Sequence, residues 1–365
     1  MSKVSDYAFV NAKLRARIGI MRDMSLYDEM IKSRSLTEAF AKLDGTRHQD
    51  LLEVYRKTGD LQQVELQMLE NEIALYREVE GYLPNAPSAF VSVLLEKIEV
   101  DNVKNAIRLW YSNVVRHHAI SYRASYIYKK GIVHKIDYDK AINASTYPEL
   151  VSAFHGTPYE EVLAGFSLES IASEGLFPLE IALDHMWFKH LGEGIKKLTG
   201  QDRKTAEAIY TVDVDLKNIL MITRYSYSYH LSPAELKKVM IPMGYIAREA
   251  EKSGALSSED PIAVLSGIVR HHYPQISEEI ARIRRTADDL TTVEENNREI
   301  VLIEAYLGER RKKEYKKILM GDPFSIGVVL AYFFLCLQED GNLRAILSGK
   351  YYGQSEAKIR EGLGL

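Results

Sequence analysis

A single cysteine, Cys336, is all that this chain of 365 residues contains. One thiol excludes an intrachain disulfide and fits a reducing compartment. Set in an apolar run, it reads as a small core residue. An excess of one charge is also missing. With 47 basic against 51 acidic side chains the formal net charge is −4. No general attraction to nucleic acid or anionic lipid is expected, and any basic surface must be local. Long apolar runs are absent too: "FSIGVVLAYFFLCL", residues 324 to 337, stops well short of the ~20 residues that a bilayer span needs. The opening "MSKVSDYAFVNAKLRARIGIMR" is too polar for a signal peptide. A membrane is expected to be touched rather than crossed.

The vocabulary of catalysis is equally thin. No phosphate loop exists, since "SGKYY" carries Tyr351 where Ser or Thr is required. "VRHH" occurs twice, at His117-His118 and His271-His272, but adjacent helix positions diverge by about 100°. His185 and His190 lack an HExxH frame, and no cysteine cluster assists them. They read as ordinary histidines, and no metal or other cofactor is expected. "ADDLTTVEENN" supplies Asp288 and Asp289, as all-α isoprenoid synthases do for magnesium diphosphate, but Thr292 stands where the third aspartate belongs. A solvated acidic patch is the plainer reading, with a diphosphate-handling enzyme as the alternative.

Helical periodicity is what the sequence has in abundance. "LQQVELQMLENEIALYREVEGYL" sets Leu61, Val64, Met68, Ile73, Leu75 and Tyr76 among charges at three- and four-residue spacing. "RYSYSYH", 224 to 230, is the best strand-like alternation, and even it continues a helix-forming run. Asp322 and Pro323 predict the start of another helix, with its stop at Gly349. The expected fold is all-α.

The chain also repeats itself. "YDEMIKSRSLTEAFAKLDGTRHQDLL" (27 to 52) aligns without a gap on "YDKAINASTYPELVSAFHGTPYEEVL" (138 to 163), an offset of 111. A fainter third copy, counted from Gly131 and Gly244, sets Pro148 on Pro261 and Tyr159 on His272. Three similar helical domains are expected, over 1–125, 126–240 and 241–365. In each, an acid precedes an asparagine by three residues: Glu99 and Asn102, Asp215 and Asn218, Glu339 and Asn342. Asn102 follows Pro87 by 15 residues and Asn342 follows Pro323 by 19, deep in helices where asparagine has poor propensity. A polar residue kept there must find hydrogen bonds once buried, so acid and asparagine are expected to tie a neighbouring helix or loop. Arg108 and Arg224 each follow the asparagine by six and are candidates for reaching a partner.

Basic residues gather in two stretches. "GERRKKEYKK", 308 to 317, carries six basic and two acidic residues. The first helix sets Lys13, Arg15, Arg17 and Arg22 around Tyr7, Val10, Leu14, Ile18 and Met21. Either is a solvated face or a docking surface for acidic protein or lipid headgroups.

Taken in order, "YAFVNAKLRAR", "YIYKKGIVHKIDYDKAI", "PLEIALDHMWF", "DLKNILMITR" and "DPFSIGVVLAYFFLCLQEDGNLRAILSGKYYG" resemble the C subunit of the archaeal and bacterial V/A-type ATPases, the counterpart of the eukaryotic d subunit. The resemblance spans essentially the whole chain. It departs at Ser348, where the other two repeats carry arginine. It implies a pseudo-threefold funnel of three helical domains with no catalytic residues. That funnel would sit peripherally on the membrane proteolipid ring, at its cytoplasmic face, and receive the central shaft. Its role would be to couple ATP hydrolysis or synthesis to ion transport, with Arg15, Arg17, Arg108 and Arg224 as candidate contacts. A cytosolic helical scaffold with other partners shares the same composition and stands as the alternative.

Overall fold

The computed structural model describes residues 3–21, 24–119, 123–227, 231–254, 261–274, 276–278 and 307–363. Regular secondary structure among them is helical throughout. The protein is all-α. In chain order come α1 (Lys3–Ile20), α2 (Met24–Lys32), α3 (Leu36–Ala41), α4 (Leu51–Thr58) and the long pair α5 (Leu61–Glu80) and α6 (Asn85–Val114). Four short helices follow, α7 (Tyr138–Asn143), α8 (Tyr147–Ser152), α9 (Pro158–Ala164) and α10 (Leu168–Glu174), then the long α11 (Phe177–Lys197). Next are α12 (Gly200–Tyr227), α13 (Pro233–Val239), α14 (Gly244–Ser253), α15 (Pro261–His272) and α16, residues 307–319. The chain closes with α17 (Gly327–Tyr351) and α18 (Glu356–Leu363). Residues 224–227 of the tyrosine-rich stretch lie in α12; the rest of it, 228–230, falls outside the described residues.

Contacts divide the chain into two compact units, Met1–Leu198 with Pro323–Leu365, and Thr199–Asp322. In the first, both ends of the chain build one core. Met30, Ile31, Phe40, Leu43 and Leu51 near the start bury against Leu343, Ile346, Leu347 and Ile359 near the finish. Rings of Tyr76 on α5 and Phe333 on α17 stack with centroids 3.9 Å apart. The long helices of the middle segment cross closely because Gly194 of α11 has no side chain: a Cβ there would lie 3.1 Å from the Phe90 ring. In the second unit, α12, α13, α14 and α15 gather Ile219, Leu236, Ile246, Ala250, Leu265, Val269 and Tyr273.

Local signals reproduce the 111-residue repeat. Ser35 accepts from the Glu38 backbone N–H as Thr146 does from Glu149, and each glutamate reaches back to the backbone of residue 34 or 145. The Thr46 and Thr157 hydroxyls donate to the carbonyls three residues earlier, both at 2.6 Å. Gly45 and Gly156 both take the left-handed φ that those turns demand, 69° and 75°.

Two expected helix limits move. α17 begins at Gly327 rather than Pro323, because the chain first turns through 323–326 and the Ser325 hydroxyl accepts from the Gly327 N–H at 3.3 Å. Nor does Gly349 stop it. The helix runs on to Tyr351, and the left-handed residue that ends it is Gly353, φ 66°.

Candidate functional site

On α6, Glu99 is wholly buried yet collects four hydrogen-bonding groups. The backbone N–H groups of Val133 and His134 donate to Oε2 at 2.6 and 2.8 Å, and the Tyr159 hydroxyl donates to Oε1 at 2.9 Å. His134 Nδ1 lies 2.6 Å from Oε1. Burial alone would raise the pKa of this carboxyl, but the bonds from His134, the two amides and Tyr159 overcome it and hold it below the usual range. His134 is raised in turn, chiefly by its bond to Glu99. One helical turn on, Asn102 pairs with a single residue of the 115–137 connection. Its Nδ2 donates to the Tyr128 carbonyl at 2.8 Å while its Oδ1 accepts the Tyr128 N–H at 3.1 Å. The side-chain amide copies one rung of backbone pairing.

α12 repeats the device. Asn218 Nδ2 donates to the Ile241 carbonyl at 3.0 Å and to that of Met243 at 3.3 Å, and Oδ1 accepts the Ile241 N–H at 2.8 Å. Asp215 accepts the Ile246 N–H and the Tyr273 hydroxyl at 2.8 and 2.9 Å. Gly244, φ 86°, lets the backbone come that close: a Cβ there would collide with Asp215 Oδ1. Tyr273 therefore plays the part of Tyr159, one residue beyond the His272 that the fainter alignment matched. Asp215 stays above the usual carboxylate range, since burial outweighs the bonds from Ile246 and Tyr273.

The third copy closes the chain on itself. Glu339 of α17 accepts from Arg47 Nε at 2.7 Å, and His48 Nε2 lies 3.4 Å from the same oxygen. His48 stands 111 residues before Tyr159, so the two hold equivalent places. Positions 22 and 23, equivalent to Val133 and His134, fall outside the described residues. Arg47 also bonds the Asp340 carboxylate and the Cys336 carbonyl. Despite burial, His48 and Arg47 hold Glu339 below the usual range, whereas burial keeps Asp340 above it. Across on α5, burial and the nearby Asp340 push Glu72 up to about 7. Asn342 is half-buried and lies near the Tyr27 side chain.

A further equivalence ties the first and third copies. Trp110 Nε1 donates to the Ala144 carbonyl at 3.0 Å, and Lys350 Nζ donates to the Ser33 carbonyl at 2.7 Å. Acceptor and donor are offset by 111 and 240 residues, as throughout the two repeats. Unlike side chains do one job.

The candidate arginines face their own chain to different degrees. Arg17 grips Glu78 with two bonds of 2.7 and 2.8 Å, which hold that carboxyl down at about 2. Lys13 adds an ion pair to Glu78 at 3.1 Å, so the first helix turns two of its cations inward. Arg15 Nε donates to Asn11 at 2.9 Å. Arg108 bonds Glu180 of α11 through two nitrogens while 52% of its side chain stays exposed. Arg224 lies in α12 with its side chain outside the described residues, as does Arg22 entirely; so do Asp288, Asp289 and Thr292. His117-His118 follows the end of α6 instead of riding on a helix. His190 pairs with the buried Glu96 at 3.0 Å. His48, Glu339 and Asp340 place ligand-type atoms within 4.8 Å of one another, but the Arg47 guanidinium already supplies the positive charge there.

Arg47, His48, Tyr159 and Tyr273 are clamp residues that helix periodicity alone could not find. For His48 the ungapped repeat was the available signal. The arrangement fastens long helices to distant turns and loops.

Comparison with known proteins bears on what such fastening serves. The family model described as ATP synthase (C/AC39) subunit matches residues 10–362. Three archaeal proteins, each named as the C subunit of an A-type ATP synthase, are 24% identical to this chain. That of Methanosphaera stadtmanae is matched over 94% of this chain and 84% of its own. For Methanothermobacter thermautotrophicus the shares are 98% and 87%, and for Pyrococcus horikoshii 99% and 91%.

Proposed function

This chain belongs to the ATP synthase (C/AC39) subunit family, and from that premise we propose that it is a non-catalytic rotor subunit of a V/A-type rotary ATPase. It seats the central shaft on the membrane proteolipid ring, at the cytoplasmic face, and couples ATP hydrolysis or synthesis to ion transport. The observation that carries this reading is the buried acid of Glu99, Asp215 and Glu339, recurring on three long helices and tied each time to a distant segment. Three copies of this device in one polypeptide suit a pseudo-threefold socket around an axis. Buried, charge-assisted bonds suit a part that must transmit torque without shearing. No helix among the described residues is long and apolar enough to cross a membrane, which agrees with peripheral attachment.

The test is affinity capture of the tagged full chain from native membranes. Shaft subunits and the proteolipid ring should be retained together. Their absence from the captured material, with the chain folded, would overturn the reading.

A further inference from the structure

The two basic stretches of the sequence end differently in the structure. In α1, Lys13 and Arg17 turn onto Glu78. In α16, Arg310 pairs with Glu314 and Arg311 with Asp213 at 3.0 Å, while Leu307 and Tyr315 are buried and the Tyr315 hydroxyl reaches Asp213 at 3.3 Å. Positions 307, 311 and 315 form the inner stripe of this helix. Its arginines are thereby engaged within the chain.

The lysines are left outside. Lys312, Lys313, Lys316 and Lys317 are exposed. Lys312 pairs with Glu309, but Lys313, Lys316 and Lys317 have no ion-pair partner among the described residues. Met320, four residues after Lys316 and seven after Lys313, continues the same face and is 73% exposed. Among the described residues, a row of cations without ion-pair partners thus ends in an exposed apolar side chain. Glu309 and Asp322 are the exposed acids beside it.

We propose that the face formed by Lys313, Lys316 and Lys317 of α16 and by Met320 in the turn that follows docks on an anionic lipid surface. Charge complementarity requires a negative partner. Its kind follows from which cations remain. The arginine forks of α16, which recognise carboxylates two bonds at a time, are already paired with Glu314 and Asp213, and the cations left over are hydrated point charges that suit a diffuse layer of phosphodiester headgroups. Met320 suits the boundary between headgroup and acyl chain, where an acidic protein loop would offer it nothing. The inference rests on the proposed function only in placing the chain beside a membrane. Vesicles free of other ATPase subunits test it separately.

The purified full chain is sedimented with phosphatidylcholine vesicles and with vesicles containing about 30% phosphatidylglycerol. It should bind only the anionic ones, and binding should fade between about 50 and about 500 mM salt. At about fivefold per lysine, K313Q/K316Q/K317Q should bind about a hundredfold more weakly. A control with the same charge change at other exposed lysines, K135Q/K140Q/K196Q, should retain most of the binding, and M320S should bind more weakly at high salt. Equal binding to both vesicle types, an unaffected lysine triple, or equal losses in both triples would overturn the proposal. So would loss of capture by a detergent-solubilised proteolipid ring in the lysine triple with no vesicle binding by the parent chain, which would assign the face to acidic protein loops.

Discussion

Asparagine is a poor helix former, and its presence on α6 and α12 is offset by two bonds to one backbone residue that lies outside the helices. Asn218 is fully buried, whereas Asn342 is half-buried and meets a side chain instead. Asn218→Leu should therefore lower stability by about 1–3 kcal/mol, because the Ile241 N–H is left unpaired. Asn342→Leu should cost less. Urea midpoints of the two variants decide it, and an unchanged midpoint for Asn218→Leu would refute the clamp. The acids beside these asparagines differ in sign of response. Glu99 titrates below its unfolded value, so its contribution is present above that value and is lost as pH falls through the folded one. Asp215 titrates above its unfolded value, so its contribution is complete below that value and is lost as pH rises through the folded one. Between about pH 6 and about pH 3, protection of the Val133 and His134 amides should fall while that of Ile246 holds or rises. Amide hydrogen exchange, corrected for intrinsic rates, reads both at once.

At the scale of elements, glycine placement decides how α17 and α18 meet. Gly349 lies inside α17, and a Cβ there would sit 2.6 Å from Ile359 Cγ1. Overlap of that kind forces backbone movement or an off-rotamer isoleucine. Gly349→Ala should destabilise by about 1–3 kcal/mol despite alanine's better helix propensity. Pairing it with Ile359→Val, which removes a methyl group from the collision, should recover part of the loss. A thermal or denaturant cycle over the four proteins measures the coupling, and strict additivity would show that the two side chains do not meet. Trp110 and Lys350 teach a related lesson. What the repeat preserves is a donor aimed at the carbonyl of residue 144 or 33, by an indole in one copy and an ammonium in the other.

For the whole molecule, the closure of the chain depends on one cation. Arg47 stands among Glu339, Asp340 and Glu72, joining residues 289 to 293 positions apart. Arg47→Ala strips the buried Glu339 and Asp340 carboxylates of their guanidinium, with His48 left beside them, and should cost about 3–5 kcal/mol; adding Asp340→Asn should restore part of it. Denaturant unfolding of the single and double variants tests this, and a near-neutral Arg47→Ala would contradict it. Coupling is the corresponding functional property. Under the rotor reading, Arg108→Ala with Arg224→Ala should spare ATP hydrolysis by the assembled complex while reducing ATP-driven ion transport. Glu180→Gln, which removes the inward partner of Arg108 and keeps the arginine, should leave transport intact. Hydrolysis and transport falling in strict proportion, with assembly normal, would remove these arginines from the coupling path.

Helical class, the capping pairs Ser35/Glu38 and Thr146/Glu149, and the spacing of acid and asparagine were all determined by the sequence itself. Each depends on residues within one or two turns of one another, and such interactions are written in neighbouring positions. Repetition extended that reach, because an ungapped offset equates His48 with Tyr159 before either has a known partner. The rest was decided by tertiary structure. Which side chain meets Glu339 depends on a turn nearly 300 residues away. The one-residue shift from His272 to Tyr273 depends on which face of a helix end points at Asp215. The opposite titration of Glu99 and Asp215 depends on whether the bonds around the carboxyl outweigh burial, as those led by His134 do at Glu99, or are outweighed by it, as at Asp215. Burial and electrostatics at a site are sums over everything packed around it, and distant segments of the chain supply most of that sum.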